Sequence, residues 1–283
     1  MDESKRRGKL RDRVLQTCPL CIYCGGTVAA STIDHMPPRI MFRGKQRPHG
    51  LEFPSCESCN QGTKGADLVA ALFGRGYPGG AGELEEDEFK KLLRSISNNI
   101  SGLLEEMHIG RAGQKLARKS IPTEIDGGFL RVDGPLVSAH MQTFAEKVGF
   151  ALFYEMTKTI VPPEGGVAAR WFSNVDVLQG KYPREEISKV MGPSATLRQG
   201  TKEVSDQFSY SYGLSEDKSI GAFLASFRES FAVVAFASKL ATSLNVETKH
   251  PIKMVQPKNF LARLRAAQAN AHTYPLFHLH SYR

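Results

Sequence analysis

The chain has a single tryptophan and five cysteines in 283 residues. No apolar run approaches the roughly 18 to 20 residues that a membrane span needs. Even the stretch from Phe231 to Ala237 has Arg228 just before it and Lys239 just after it. The opening MDESKRRGKLRDR carries charge with no apolar stretch behind it, so a secretory leader is not expected and the cytosol is the default address. With 26 Gly and 15 Pro the chain is not low-complexity, and 41% apolar residues at this length suffice for a sizeable core. Acidic residues are the scarcer charge: 29 Asp+Glu face 37 Lys+Arg, a formal net charge of +8. Such a balance favours an anionic partner, nucleic acid first, but alone it establishes only solubility and non-specific attraction.

The shortage of cysteine is local. All five, Cys18, Cys21, Cys24, Cys56 and Cys59, lie in the first 66 residues, which also hold 11 Lys+Arg against 6 Asp+Glu, or +5 of the excess. An odd number confined to one quarter of the chain does not suit a disulfide framework. The spacing does suit a metal: Cys21-x-x-Cys24, thirty-one residues, then Cys56-x-x-Cys59. Two knuckles that each aim two thiolates at one point complete the tetrahedral shell of a structural Zn²⁺ site. Cys18-Pro-Leu-Cys21 is a third C-x-x-C in register, so Cys18 with Cys21 is an alternative pair. Cys24 is preferred because Gly25-Gly26 follows it, and glycine there frees backbone N–H groups for the sulfurs.

Between the knuckles stands Thr32-Ile-Asp34-His35-Met-Pro-Pro-Arg39, and the second knuckle continues as Cys59-Asn60-Gln-Gly-Thr-Lys64. With CIYCGG these segments resemble the HNH endonuclease superfamily, the ββα-metal nucleases, in the branch with a four-cysteine zinc site. The resemblance covers about residues 18–72. It implies a small zinc-stapled ββα-metal domain in which Asp34 and Asn60 hold one catalytic Mg²⁺ or Mn²⁺, His35 is the general base, and Zn²⁺ on Cys21, Cys24, Cys56 and Cys59 is structural. One departure stands out: the middle Asn that gives the family its name falls at Leu51, which puts the rigidity of the loop between the strands in doubt. His49, two residues earlier, is a candidate substitute, though a lone loop histidine is more often plain surface.

The residues carry a chemistry of their own. Phosphodiester hydrolysis needs an activated water and stabilisation of the leaving oxygen, and a histidine titrating near neutrality can serve as base. Asp34 and His35 are adjacent on what reads as a strand, so they point to opposite faces unless the chain bends. Pro37-Pro38 ends strand pairing at that point. Arg39, Arg43, Lys45 and Arg47 in the insertion, with Lys64, are expected to neutralise phosphates beside the scissile one. Lys5, Arg6, Arg7, Lys9, Arg11 and Arg13 form a second basic run, an arm or a short helix, ahead of the first knuckle.

The expected organisation is α+β: a basic arm and zinc/ββα domain over 1–73, a glycine-rich linker over 74–82, and a larger α+β domain over 83–283. The helix continuing from Lys64 is expected to stop at Gly74. From Glu83, apolar residues from Phe89 to Met107 advance by three and four, the stripe of a helix about six turns long, with Glu83, Glu85, Glu86, Asp87 and Glu88 in its first turns. A second helix reads from Ser138 to Lys158, with His140 as a structural histidine. Gln207–Tyr212 alternates with period two, and Ala222–Phe227 and Phe231–Phe236 flank Arg228-Glu-Ser230 as a hairpin in an antiparallel meander. Trp171 reads as packing, and His278-x-His280 lacks a trusted ligand spacing. No catalytic constellation is legible in this half, which is open to a protein partner or to homo-oligomerisation.

The expected function is a metal-dependent HNH-type endonuclease acting on DNA, with a latent effector in a defence or conflict system as one setting. The rival is a non-catalytic, zinc-stabilised nucleic-acid- or protein-binding module.

Overall fold

The computed structural model describes residues 3–76, 83–119, 129–243 except 183–186, 188, 190, 196, 200 and 201, and 254–271. Most of the expected linker, the side chains of Lys5, Arg6, Arg7, Glu83 and Glu85, and His278-x-His280 lie outside what is described.

The N-terminal basic run is helical: α1 spans Glu3–Thr17 and leaves Lys9, Arg11 and Arg13 exposed. It packs against a two-stranded antiparallel hairpin of β1 (Thr32–His35) and β2 (Glu52–Ser55). Strand β1 ends just before Met36-Pro37-Pro38, where the missing proline N–H groups stop the ladder. Short 3₁₀ turns at Arg39–Met41 and Arg43–Lys45 occupy the loop, and α2 (Glu57–Gly62) and α3 (Lys64–Arg75) follow β2.

Helix α3 runs past the glycine expected to end it. A Cβ on Gly74 would meet Met41 Cε at 3.1 Å, so the absent side chain serves close packing against the loop rather than a stop. The six-turn helix expected from Glu83 is in fact two, α4 (Glu83–Asn99) and α5 (Leu103–Met107). Gly102 between them has φ +80°, a left-handed value that no helix interior tolerates. Periodicity alone misses the break, because Ile100 and Leu103 remain buried on either side of it.

After α6 (Arg111–Lys119) comes the spine of the molecule, α7, from Pro135 to Thr157, three residues earlier at its start than the sequence suggests. Pro135 needs no N–H at the first helical position. Helix α7 is buried on nearly every face, and its fully enclosed residues include the polar His140, Thr143, Glu146 and Lys147. It packs on a four-stranded antiparallel sheet in the order β3 (Gly166–Ser173), β8 (Phe231–Ser238), β7 (Ile220–Phe227), β6 (Ser209–Leu214). The expected hairpin is β7–β8, turning at Arg228 with φ +51°. Gly149 marks the closest approach of α7 to the sheet, since a Cβ there would lie 2.5 Å from Val167 Cγ1. The short helix α8 (Asn174–Leu178) is closed by a capping box between Ser173 and Asp176. A two-residue pair, β4 (Arg198–Gln199) with β5 (Lys202–Glu203), and a final helix, α9 (Ala262–Ala271), complete the elements.

The fold is thus mixed α+β, with an antiparallel four-stranded sheet and a buried four-cysteine cluster. One continuous set of buried side chains runs from Cys21, Tyr23 and Phe53 through α3 and α7 to Phe223, Phe227 and Phe260. Trp171 sits against Phe73 of α3, ring centroids 5.5 Å apart, in the packing role expected of it. No helix among the described residues is long and apolar enough to cross a membrane.

Candidate functional site

The first knuckle is a tight turn in which Gly25 and Gly26 take φ +67° and +73°. Cys21 N–H donates to Val28 O at 2.9 Å, and Gly26 N–H donates to Cys21 O at 3.0 Å. The second knuckle is a helix start: Cys56 is the N-cap of α2 and Cys59 lies in its first turn. These two local structures bring the sulfurs of Cys21, Cys24, Cys56 and Cys59 within 4.8 Å of one another. Four sulfurs about 2.3 Å from one Zn²⁺ would stand about 3.8 Å apart, so the cluster is compatible with a structural Zn²⁺ site. Hydrogen bonds from Cys24 and Cys59 push the Cys21 thiol far down, while Cys24, bonded to Cys21, is pushed up to about 11 and Cys59 also rises. Four thiolates at this spacing require a divalent cation to offset their charge. Cys18 is outside the cluster, its Sγ 3.5 Å from Leu20 O.

Cysteines and register together place the two central residues of the motif. Asp34 pairs across the hairpin with Phe53, and His35 with Glu52. Because side chains alternate along a strand, Asp34 and Phe53 share the inner face while His35 and Glu52 share the other.

On the inner face Asp34 is 4% exposed. Its Oδ2 accepts from Tyr23 Oη at 2.6 Å, and its Oδ1 accepts from Lys147 Nζ at 3.1 Å. Lys147 also donates to both oxygens of Asp67 on α3, at 3.0 and 2.9 Å. The same ammonium stands 5.9 Å from the centroid of the Tyr23 ring, which stacks on Phe260. Burial alone would lower the Lys147 pKa, but Asp34 and Asp67 reverse this and hold it above its ordinary value. Burial raises Asp67 to about 7, with Lys147 opposing and Asp34 adding to the rise. The Tyr23 hydroxyl is likewise pushed well up, by burial first and by Asp34 next.

The other face is different. His35 is pushed down to about 4, by burial and then by the charge of Arg47, so its imidazole is neutral at pH 7. Its Nδ1 is buried and makes no hydrogen bond. No described hydrogen bond fixes which ring nitrogen carries the proton of the neutral imidazole, and with Nδ1 enclosed, Nε2 is the nitrogen left to meet water. Asn60 reaches back from α2 to β1, donating from Nδ2 to Thr32 Oγ1 at 3.1 Å and to Ile33 O at 3.3 Å.

Of the basic residues expected to meet phosphate, Arg39, Arg43, Lys45 and Lys64 are exposed and Arg47 is not. Arg47 is a correction: its guanidinium is buried against Glu52 and donates from Nη2 to Leu51 O at 2.7 Å. A cation facing a carboxylate five residues on and folded under its own loop is invisible to charge counting. Leu51, where the family's Asn would stand, is a core residue with 3% exposure, and its carbonyl also accepts from Met36 N–H at 3.2 Å. Arg47 and Arg75, which donates to Phe42 O at 2.6 Å and pairs with Glu88, thus tie the loop whose rigidity Leu51 put in doubt. His49 is exposed, like an ordinary loop histidine.

Tyr23, Asp67 and Lys147 are the residues that sequence reasoning misses. One signal exists: Lys147 stands beside the apolar stripe of a helix whose remaining faces, at Phe150, Ala151 and Phe153, are apolar as well, so a charge there has no solvent to face. For a hard divalent cation the donor set fits poorly, since the carboxylate meant for it is already shared between an ammonium and a phenol. No family model matches the chain, and no curated protein or solved structure matches it.

Proposed function

We propose that this chain is an endonuclease of the HNH type that hydrolyses phosphodiester bonds in DNA, in the cytosol, with Zn²⁺ on Cys21, Cys24, Cys56 and Cys59 as a structural staple. The observation that carries the reading is the pairing of that staple with a neutral His35, its ring held by no hydrogen bond of the fold, on β1, β2 and α2 in that order. His35 takes a proton from water, and the hydroxide attacks phosphorus in line with the departing 3′-oxygen. Asn60 braces the strand that holds His35, through Thr32 and the Ile33 carbonyl. Arg39, Arg43, Lys45 and Lys64 hold neighbouring phosphates, an attraction that weakens as salt rises and carries no sequence information. A divalent cation bound at the scissile phosphate would stabilise the charge that develops there.

The test is plasmid nicking by the purified chain with and without Mg²⁺ or Mn²⁺, beside a zinc analysis. Nicking by the native chain that vanishes in His35→Ala at unchanged zinc content is expected; nicking that survives the substitution removes His35 from the mechanism. A second reading, a non-catalytic zinc-stabilised binding module, draws support from the engagement of Asp34 by Lys147 and Tyr23. DNA binding with no nicking under any of these metals would favour it.

A further inference from the structure

The carboxylate that the motif assigns to a divalent cation already has a cation. Lys147 lies on α7, 113 residues beyond Asp34, with no exposed surface. An ammonium offers three N–H donors and no acceptor. Four carboxylate oxygens stand around it, Asp34 Oδ2 and Oδ1 at 3.0 and 3.1 Å and Asp67 Oδ1 and Oδ2 at 3.0 and 2.9 Å, more than enough to engage all three. Tyr23 Oη donates to Asp34 Oδ2 as well, at 2.6 Å. The Asp34 end is closed, with Phe53 as the cross-strand neighbour of Asp34 and Phe150 packed on Phe260 behind the Tyr23 ring, while Asp67 keeps 14% of its side chain exposed. A Mg²⁺ or Mn²⁺ ion entering here would have to displace a salt-bridged ammonium and shed most of its water, which small hard cations resist.

We propose that Lys147 is the permanent cation of Asp34: the Asp34–Asp67 carboxylate pair is a cation site closed by the chain's own ammonium, and Asp34 is not a divalent-metal ligand in this protein. Lys147 is then a positioning residue. It pins β1 to α3 and α7, and so fixes the strand whose opposite face carries His35. The inference goes beyond the endonuclease reading and stands or falls without it.

The experiment uses the full-length, zinc-loaded chain and titrates Mn²⁺, followed by loss of the free-ion EPR signal. The native chain and Asp34→Asn should bind Mn²⁺ with the same affinity within about twofold, whereas Lys147→Gln should gain about tenfold in affinity and lose the gain in the double variant with Asp34→Asn. A merely structural lysine predicts no such gain. A tenfold weaker affinity in Asp34→Asn alone, or a folded, zinc-loaded Lys147→Gln that gains nothing, overturns the proposal. A measurement that needs no variant guards against misfolding: Lys147 in the native chain should resist amine acylation, mapped by peptide mass spectrometry, equally with and without saturating Mn²⁺. Acylation that rises when Mn²⁺ is added would mean that the metal displaces the ammonium, and the proposal fails. Plasmid nicking, run separately, decides the endonuclease reading whichever way Mn²⁺ binds.

Discussion

On the inner face of β1, Asp34 accepts from a tyrosine and from a lysine with no exposed surface; one residue further on, on the opposite face, His35 leaves a buried ring nitrogen with no partner. The two residues share a strand, a turn and a zinc-compatible staple, and differ only in which way the pleat aims them. The inner residue has been absorbed by folding: Tyr23 of the first knuckle and Lys147 of α7 meet at its carboxylate, and its charge is opposed within the core by an ammonium it shares with Asp67. The outer residue has not. Buried polar groups in native folds are nearly always bonded; His35 Nδ1 shares its exception with Arg47 Nε, His140 Nε2 and Glu146 Oε2, and what sets it apart is its place beside Asp34 on β1.

The comparison is broken most completely by removing what both faces share. Cys56→Ser, or stripping of the metal by a chelator, should unfasten β1, β2 and α2 together, since structural zinc contributes binding energy directly to folding. We expect a fall in melting temperature on the order of 10 °C or more, together with loss of bound zinc. A chain that loses its zinc and melts unchanged would mean that the cluster holds nothing structural.

A smaller break touches the inner face alone. Lys147→Met leaves the buried Asp34 and the largely enclosed Asp67 without their cation and should destabilise the zinc-loaded chain by about 3 to 5 kcal/mol in denaturant unfolding. Adding Asp34→Asn and Asp67→Asn should recover most of that loss, because the damage is uncompensated charge rather than missing volume. A loss below about 1 kcal/mol in the single variant would show that the triad is solvated. Tyr23→Phe sharpens the same face: it deletes one hydrogen bond to a charged acceptor while keeping the ring on Phe260, and should cost about 1.5 to 3 kcal/mol.

How much of the molecule is legible in its sequence follows the range of the forces involved. The cysteine pairing is readable because both knuckles are local turns with local glycine signals, and the cluster includes Cys24 as Gly25-Gly26 suggests. The β7–β8 hairpin is readable because its two strands are separated by three residues. Strand β3 is not, since its partner β8 is nearly sixty residues away and its own pattern lacks alternation. Arg47 looks like surface charge until Glu52 comes opposite His35 and the loop folds over it. Lys147 is out of reach for the same reason at larger scale, for only the packing of α7 on α3 and β1 brings its partners together.

The smallest expected effect on stability falls on the outer face, and its smallness is informative. His35→Ala removes a side chain whose Nδ1 contributes no hydrogen bond to the fold, so the zinc-loaded variant should unfold within about 1 kcal/mol of the native chain. Set against the roughly 3 to 5 kcal/mol expected at Lys147, that difference of about three- to fivefold between neighbouring faces is the comparison in measurable form. If His35→Ala proves as damaging as Lys147→Met, the imidazole is part of the core and the functional claim on it weakens, whatever the nicking assay returns. If it is nearly silent in unfolding yet decisive in nicking, the two faces have separate employments: one holds the strand in place, and the other leaves a base free on it.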